Sequence, residues 1–272
     1  MKQIILPNTD LKVSQLGFGT SSLHHLVFQK DREKLLSYAL NLGFTHFDTA
    51  PLYGEGLAEH TLGKYLGSCR DKITIATKIG ISSNPVLRKF PALMYTQKTL
   101  NSLMSRFSKN NTPWVHRRSL NKKQLEGSLQ YSLKALRTDW VDILFIHEPP
   151  TNDIIQLLEI VGWLQTQKKL GVVRYLGLAG QAQNCVEIAK KIPNVFDILQ
   201  VEDSLNNHEA DIVTSSGFPL QITFGYLRKS LESKNLIDPS EIIKESLQRN
   251  QNGMILVSSR NSKRLKTIAS LA

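Results

Sequence analysis

Apolar and polar positions along this chain switch repeatedly between the alternation of a strand and the three-and-four spacing of a helix. Two short apolar runs, residues 4–6 and 11–13, flank Pro7-Asn8-Thr9-Asp10, a turn-forming cluster, and predict an amino-terminal hairpin. Leu16-Gly17-Phe18-Gly19-Thr20 reads as a short buried strand. Asp31 suits the N-cap of a helix with an apolar stripe of Leu35, Leu36, Ala39, Leu40 and Leu42, ending at Gly43. Residues 45–47 alternate as a strand that breaks at Pro51 and Gly54, and helix 56–66 and strand 73–78 come next. The alternation pauses over residues 82–118, then resumes with a helical stripe of Leu125, Leu129, Leu133 and Leu136. Strands at 141–147, 173–179, 196–202, 219–226 and 254–259 follow, separated by helices at 153–170, 182–192, near 207–213 and at 239–249, with a last helix at 262–271.

From Leu16 onward this makes eight strands, each followed by a helix or a stretch able to form one. Eight such units in a chain of 272 residues fit an α/β fold of the (β/α)8 TIM-barrel type better than a doubly wound sheet, which usually has fewer strands. The expected architecture is a single barrel domain over residues 1–272, preceded by the hairpin and interrupted after the third barrel strand by an irregular insertion or lid, residues 82–118. Barrels of this kind carry their chemistry at the carboxyl ends of the strands. That rule selects Asp48 and Tyr53 after the second strand, Lys78 at the end of the third, His147 and Glu148 at the end of the fourth, and Gln200 and Glu202 on the sixth.

Composition narrows the setting. Hydrophobic content of 41% and charged content of 21% are those of a globular protein, and no apolar run approaches the roughly 20 residues of a membrane span. Residues 1–10 read as a strand and turn rather than a signal-peptide core, so the expected location is cytoplasmic. Cys69 and Cys185 have neither metal-ligand spacing nor the density of a disulfide framework. His24-His25 is not expected to bind metal, because neighbours on an extended strand point to opposite faces. The net charge of +11 is concentrated: Arg88, Lys89, Lys98, Arg106, Lys109, Arg117, Arg118, Lys122 and Lys123 fall between Asn84 and Leu125 with no acidic residue among them. A charge run is usually a solvated face, but a local positive field also attracts anionic small molecules.

Asp48, Tyr53, Lys78 and His147 form a coherent acid–base unit. A phenol with a reference pKa near 10 is a poor proton donor at neutral pH, and a neighbouring ammonium lowers that value. Lys78 supplies the ammonium, Asp48 keeps it charged and in place, and His147 aims a carbonyl oxygen at Tyr53. A carbonyl held against a phenolic acid is set up for hydride transfer from a nicotinamide.

The chain resembles the aldo-keto reductase family. The motifs that carry the resemblance are Leu16-Gly17-Phe18-Gly19-Thr20, Gly43-Phe44-Thr45-His46-Phe47-Asp48-Thr49-Ala50 with Tyr53-Gly54, Ile75-Ala76-Thr77-Lys78, Thr138-Asp139-Trp140-Val141-Asp142 and Ile146-His147-Glu148-Pro149. The resemblance implies Tyr53 as general acid, Lys78 and Asp48 as the pair that lowers its pKa, His147 as the orienting residue, and the hairpin as a plug under the barrel. It implies NADP(H) as cofactor, with NAD also open, and a small carbonyl substrate; the basic character of residues 82–118 points to an anionic or sugar-derived one. No membrane, nucleic acid or obligate protein partner is expected. Gly19, Thr20, Gln200, Phe224, Ser258, Ser259, Arg260 and Arg264 are the implied cofactor-binding residues; Arg264, with Arg260 or Lys263, matches a grip on a 2′-phosphate. The resemblance weakens where the family usually places a Ser-Asn pair against the nicotinamide carboxamide, because this chain has Ala179-Gly180. Two readings from other classes stay open: a barrel that binds the cofactor without catalysis and serves a partner, and a lyase forming a Schiff base on Lys78.

Overall fold

A computed structural model describes residues 1–90, 93, 116–232 and 238–272. Its strands are β1 (Gln3–Ile5), β2 (Lys12–Ser14), β3 (Leu16–Gly19), β4 (His46–Asp48), β5 (Thr74–Ile79), β6 (Val141–His147), β7 (Val173–Gly180), β8 (Ile198–Glu202), β9 (Ile222–Phe224) and β10 (Met254–Val257). The last eight close into a barrel in the order β10-β3-β4-β5-β6-β7-β8-β9, and every neighbouring pair is parallel. Because a strand in such a barrel is covered inside and out, β4, β5 and β6 are buried along their whole length.

The helices are α1 (Gln29–Asn41), α2 (Leu57–Leu66), α3 (Pro85–Lys89), α4 (Lys122–Leu136), α5 (Ile154–Lys169), α6 (Ala182–Lys191), α7 (Asp211–Ser215), α8 (Tyr226–Glu232), α9 (Pro239–Arg249) and α10 (Ser262–Ala269). Their apolar stripes pack on the outside of the strands in one cluster that joins Leu36, Leu62, Leu129, Ile160, Ile188 and Leu265 to Phe47, Leu144 and Leu176. At the crossing of α2 and α4, a Cβ on Gly63 would stand 2.2 Å from the Ala135 carbonyl oxygen, so this contact requires glycine.

A second cluster fills the barrel interior. The hairpin β1–β2 pairs Ile4 with Val13 and turns at Asn8, and its Leu6, Leu11 and Val13 pack against Ala76, Ile143, Phe145, Ile198 and Met254. The hairpin therefore plugs the end of the barrel opposite the strand mouths. At that end the fully buried Asp142 carboxylate accepts from Ile75 N at 2.8 Å and pairs with Arg70 at 2.8 Å and Arg174 at 2.9 Å.

Several local expectations shift. Helix α1 begins at Gln29 with Phe28 at its N-cap, so Asp31 lies in the first turn, where its charge meets the helix dipole. The strand expected over 219–226 is only Ile222–Phe224. Gly225 takes φ 104°, and α8, absent from the sequence reading, starts at Tyr226. Of the insertion at 82–118, residues 91, 92 and 94–115 lie outside the described residues. Its described ends show the short helix α3, capped by Asn84, and a bridge between Ile81 and Arg118. Among the described residues no helix is long and apolar enough to cross a membrane.

Candidate active site

Asp48 is the last residue of β4, Lys78 stands one residue before the end of β5 and His147 ends β6, so three adjacent strands deliver these side chains to one mouth. Tyr53 comes from the turn that follows β4. The turn reverses sharply because Gly54, Glu55 and Gly56 take φ of 59°, 54° and 87°, while Tyr53 N donates to Ala50 O at 3.0 Å and Tyr53 O accepts from Ala58 N at 3.2 Å. Glu55, a non-glycine residue in the left-handed region, is held by Asn84 N at 2.6 Å and His116 at 3.5 Å. The Tyr53 turn is thereby tied to both described ends of the basic segment.

Within the mouth, Lys78 Nζ donates to both Asp48 carboxylate oxygens at 2.6 Å and to Thr49 O at 3.0 Å. Nζ lies 4.9 Å from the Tyr53 ring centroid, and the Tyr53 and His147 rings meet edge to face at 6.1 Å. Burial works against the Lys78 ammonium, yet Asp48 and Tyr53 outweigh it and hold the lysine above its ordinary range. Burial likewise pushes the Asp48 carboxyl up and Lys78 pulls it down; two charge-assisted bonds of 2.6 Å describe an ion pair.

Burial drives the His147 imidazole down to about 3, helped by the charges of Lys78 and Arg118, so it is a neutral hydrogen-bonding group. His46, buried beneath Asp48, is driven to about 3 by burial and Lys78. The Tyr53 phenol departs from expectation: burial raises it above its ordinary value, and the lowering by Lys78 is countered by Asp48 and Glu148. Lys78 therefore offsets part of a burial cost rather than setting a low net value.

A cavity of ≈ 590 Å³ opens over this cluster. Asp48, Tyr53, Lys78 and His147 line it together with Gly19, Gln200, Phe224, Ser258, Ser259, Arg260 and Arg264. Thr20 is absent from its walls: the side chain is fully buried and its hydroxyl donates to Asp48 O at 3.0 Å. Lys263 does not line the cavity either, whereas Arg260 and Arg264 do, at the start of α10, where Asn261 caps Arg264 N at 3.1 Å. Gln200 hydrogen-bonds the Asp48 carboxylate, and its Oε1 is buried with no partner among the described residues. Gly180 sits where the Glu148 backbone leaves no room, since a Cβ there would come within 3.1 Å of Glu148 Cα. Sequence reasoning missed Ser22, whose hydroxyl meets Ser258 Oγ at 2.8 Å in the cavity wall, and also Arg228. The carboxyl-end rule, applied to the loop after β3, selects Ser22; Arg228 lies on the helix that the pattern did not show.

The described geometry is a barrel whose strand mouths hold a buried ammonium–carboxylate pair, a phenol and a neutral imidazole under one cavity. The sequence profile of the aldo/keto reductase family matches residues 15–215, and the chain belongs to that family. The L-galactose dehydrogenase of Arabidopsis thaliana is 30% identical over 182 residues, covering 64% of this chain and 47% of the relative. An aldo-keto reductase of Schizosaccharomyces pombe, yakc, whose name specifies NADP(+), is 28% identical over 197 residues, covering 71% and 49%. The crystal structure of an aldo-keto reductase from Klebsiella pneumoniae in complex with NADPH superimposes with a TM-score of 0.69 at 14% identity, over 99% of this chain and 89% of that one. The chain spans about half the length of these curated relatives.

Proposed function

We propose that this protein is an NADP(H)-dependent oxidoreductase that reduces an aldehyde or ketone to an alcohol, reversibly, on a single barrel domain. The observation that carries the reading is the Lys78–Asp48 pair, with two 2.6 Å bonds, set 4.9 Å from the Tyr53 ring and facing the cavity that His147 also lines. The cofactor fits the same cavity: Gln200 Oε1 is a buried acceptor without a partner among the described residues, and Arg260 and Arg264 both line its wall. When bound there, NADPH supplies a hydride to the carbonyl carbon. Gly19, Ser258, Ser259, Phe224 and Gln200 would form the walls against it, and Arg260 and Arg264 would hold the 2′-phosphate, favouring NADP over NAD.

The remaining work belongs to the chain. Neutral His147 donates a hydrogen bond to the carbonyl oxygen and turns it toward Tyr53. As negative charge develops on that oxygen, the Tyr53 phenol gives it a proton, and the Lys78 ammonium stabilises the resulting phenolate. Asp48 acts through Lys78 and need not touch the substrate. In the reverse direction the Tyr53 phenolate takes the alcohol proton.

The substrate is read as a small carbonyl compound, anionic or sugar-derived. A Schiff-base mechanism on Lys78 finds no support, because that role needs a neutral amine and Asp48 holds Lys78 charged. The test is turnover of a panel of aldehydes with NADPH, followed by loss of cofactor absorbance. Steady oxidation of NADPH that depends on aldehyde is expected. Saturable quenching of protein fluorescence by NADPH with no turnover of any aldehyde would sink the catalytic reading and favour the cofactor-binding barrel.

A further inference from the structure

Beside the main cavity lies a second of ≈ 370 Å³, and the two share Glu148, Gly180, Phe224 and Arg228 as walls. They are adjoining chambers, one holding Tyr53 and His147 and the other reaching away from them. Among the charges in the second chamber, Glu202 is already matched, since it pairs with Arg228 and lies 3.2 Å from Lys229 Nζ. Two are not. Among the described residues neither the Arg118 guanidinium nor the Glu148 carboxylate has an ion-pair or hydrogen-bond partner, although both line this chamber.

These two charges are not loosely placed. Arg118 bridges to Ile81 just past β5, and the adjoining Arg117 carbonyl accepts from Ser82 N at 3.0 Å and Ser82 Oγ at 2.9 Å, so Arg118 projects from an anchored backbone. The Arg118 charge is felt at His147. Glu148 directly follows His147, takes φ 48°, and its amide donates to Ala179 O at 2.6 Å. The carboxylate therefore lies at the carbonyl end of the path and the guanidinium in the chamber beyond.

We infer that the second chamber is a substrate subsite, and that the protein acts on hydroxylated carbonyl compounds whose far end carries a carboxylate or phosphate bound by Arg118. This rests on the reductase reading above. The planar guanidinium offers two parallel N–H groups to either anion. Glu148, an acceptor only, takes hydrogen bonds from hydroxyls between the carbonyl and the anion. A substrate with both features satisfies the two unmatched charges at once, whereas a plain aliphatic aldehyde satisfies neither.

The experiment uses matched pairs with NADPH: 4-oxobutanoate against butanal for the carboxylate, and glyceraldehyde 3-phosphate against glyceraldehyde for the phosphate. The expected result is a kcat/KM ratio of charged to neutral member of roughly 10- to 100-fold in at least one pair, the worth of one charge-assisted hydrogen-bonded pair. The pair that shows it identifies the anion. Arg118→Met should collapse that ratio toward one through KM, and Arg118→Lys should keep part of it. Equal handling of charged and neutral members by the native protein, or a ratio that survives Arg118→Met, overturns the subsite. Should no member oxidise NADPH, calorimetric titration with succinate and with inorganic phosphate decides. Binding that Arg118→Met abolishes upholds the subsite while the reductase reading fails, and absent or unchanged binding overturns the subsite itself.

Discussion

Replacing Asp48 by Asn keeps the shape of the site and removes the only negative charge, among the described residues, within hydrogen-bonding distance of Lys78 Nζ. In the native protein Nζ has both Asp48 oxygens at 2.6 Å and Thr49 O at 3.0 Å, with the lysine side chain 2% exposed. Removing one partner of a buried pair costs about 3–5 kcal/mol. An upper limit applies, because the stranded ammonium can shed its proton: at pH 7 that costs about 1.36 kcal/mol for each unit below a free lysine value near 10.4, or roughly 4.6 kcal/mol. At pH 9 the same limit is about 1.9 kcal/mol.

The sign of the pH dependence follows from the direction of each shift. Native Lys78 lies above its ordinary range, so its contribution is complete below the free lysine value and constant from pH 7 to 9. In Asp48→Asn the folded lysine lies below its ordinary range and binds fewer protons than the unfolded chain, so the variant gains stability as pH rises. The gap between the two should be about 3–4.6 kcal/mol at pH 7 and no more than about 2 at pH 9. With an unfolding entropy of about 2.1 cal/mol/K per residue, the pH 7 gap in a chain of 272 residues lowers Tm by roughly 5–8 °C. Urea unfolding at pH 7, 8 and 9 measures it. A gap below about 1 kcal/mol at pH 7, or one equal at both ends of the range, refutes the buried ion pair.

Four further outcomes rest on individual contacts and charges in the barrel. Glu59 is fully buried between α2 and β5, accepts from Thr77 Oγ1 at 2.6 Å and is raised by burial to about 7; the folded state keeps a proton that the unfolded chain loses, so native stability should fall by roughly 3 kcal/mol between pH 4.5 and 7, and Glu59→Gln should flatten that slope in pH-dependent unfolding. Because His147 titrates at about 3, the pH profile of carbonyl reduction should show no His147 inflection between pH 5 and 8, and an acid limb near 6.5 that His147→Gln removes would contradict the neutral imidazole. Arg264→Ala should weaken NADPH binding roughly 10- to 100-fold and leave NADH binding little changed, as read by fluorescence titration; equal loss for both would move the 2′-phosphate elsewhere. Gly180→Asn, which brings in the usual family residue, should destabilise the protein by about 1–3 kcal/mol without improving NADPH affinity, because its Cβ meets Glu148 Cα at 3.1 Å.

The barrel was legible because period changes do not depend on contacts: the hairpin and the eight strands fall where alternation and turn residues place them, with the seventh barrel strand trimmed to Ile222–Phe224. What the pattern missed is set by tertiary packing. Helix α8 was hidden because Tyr226 follows the apolar strand Ile222–Phe224 closely enough to read as its continuation, whereas Gly225, at φ 104°, ends the strand and lets the helix begin. The placement of the four candidate residues was legible from the carboxyl-end rule, since Asp48, Lys78 and His147 sit at strand ends whatever the loops do. Thr20 was not, because a residue at a strand end can turn its hydroxyl inward, here onto Asp48 O. The direction of the Tyr53 shift depends on how deeply the ring is buried, which no spacing reports; the sequence names the ammonium that lowers the phenol and is silent on the burial that outweighs it.

The most direct test of the proposed chemistry is Tyr53→Phe, measured by NADPH binding and by single-turnover oxidation of bound NADPH with an aldehyde. The Tyr53 ring packs against His147 at 6.1 Å, and phenylalanine preserves that contact while removing the proton. The account predicts NADPH affinity within a few-fold of native and a hydride-transfer rate lower by roughly 10²- to 10⁴-fold. A rate within a few-fold of native would contradict Tyr53 as the general acid.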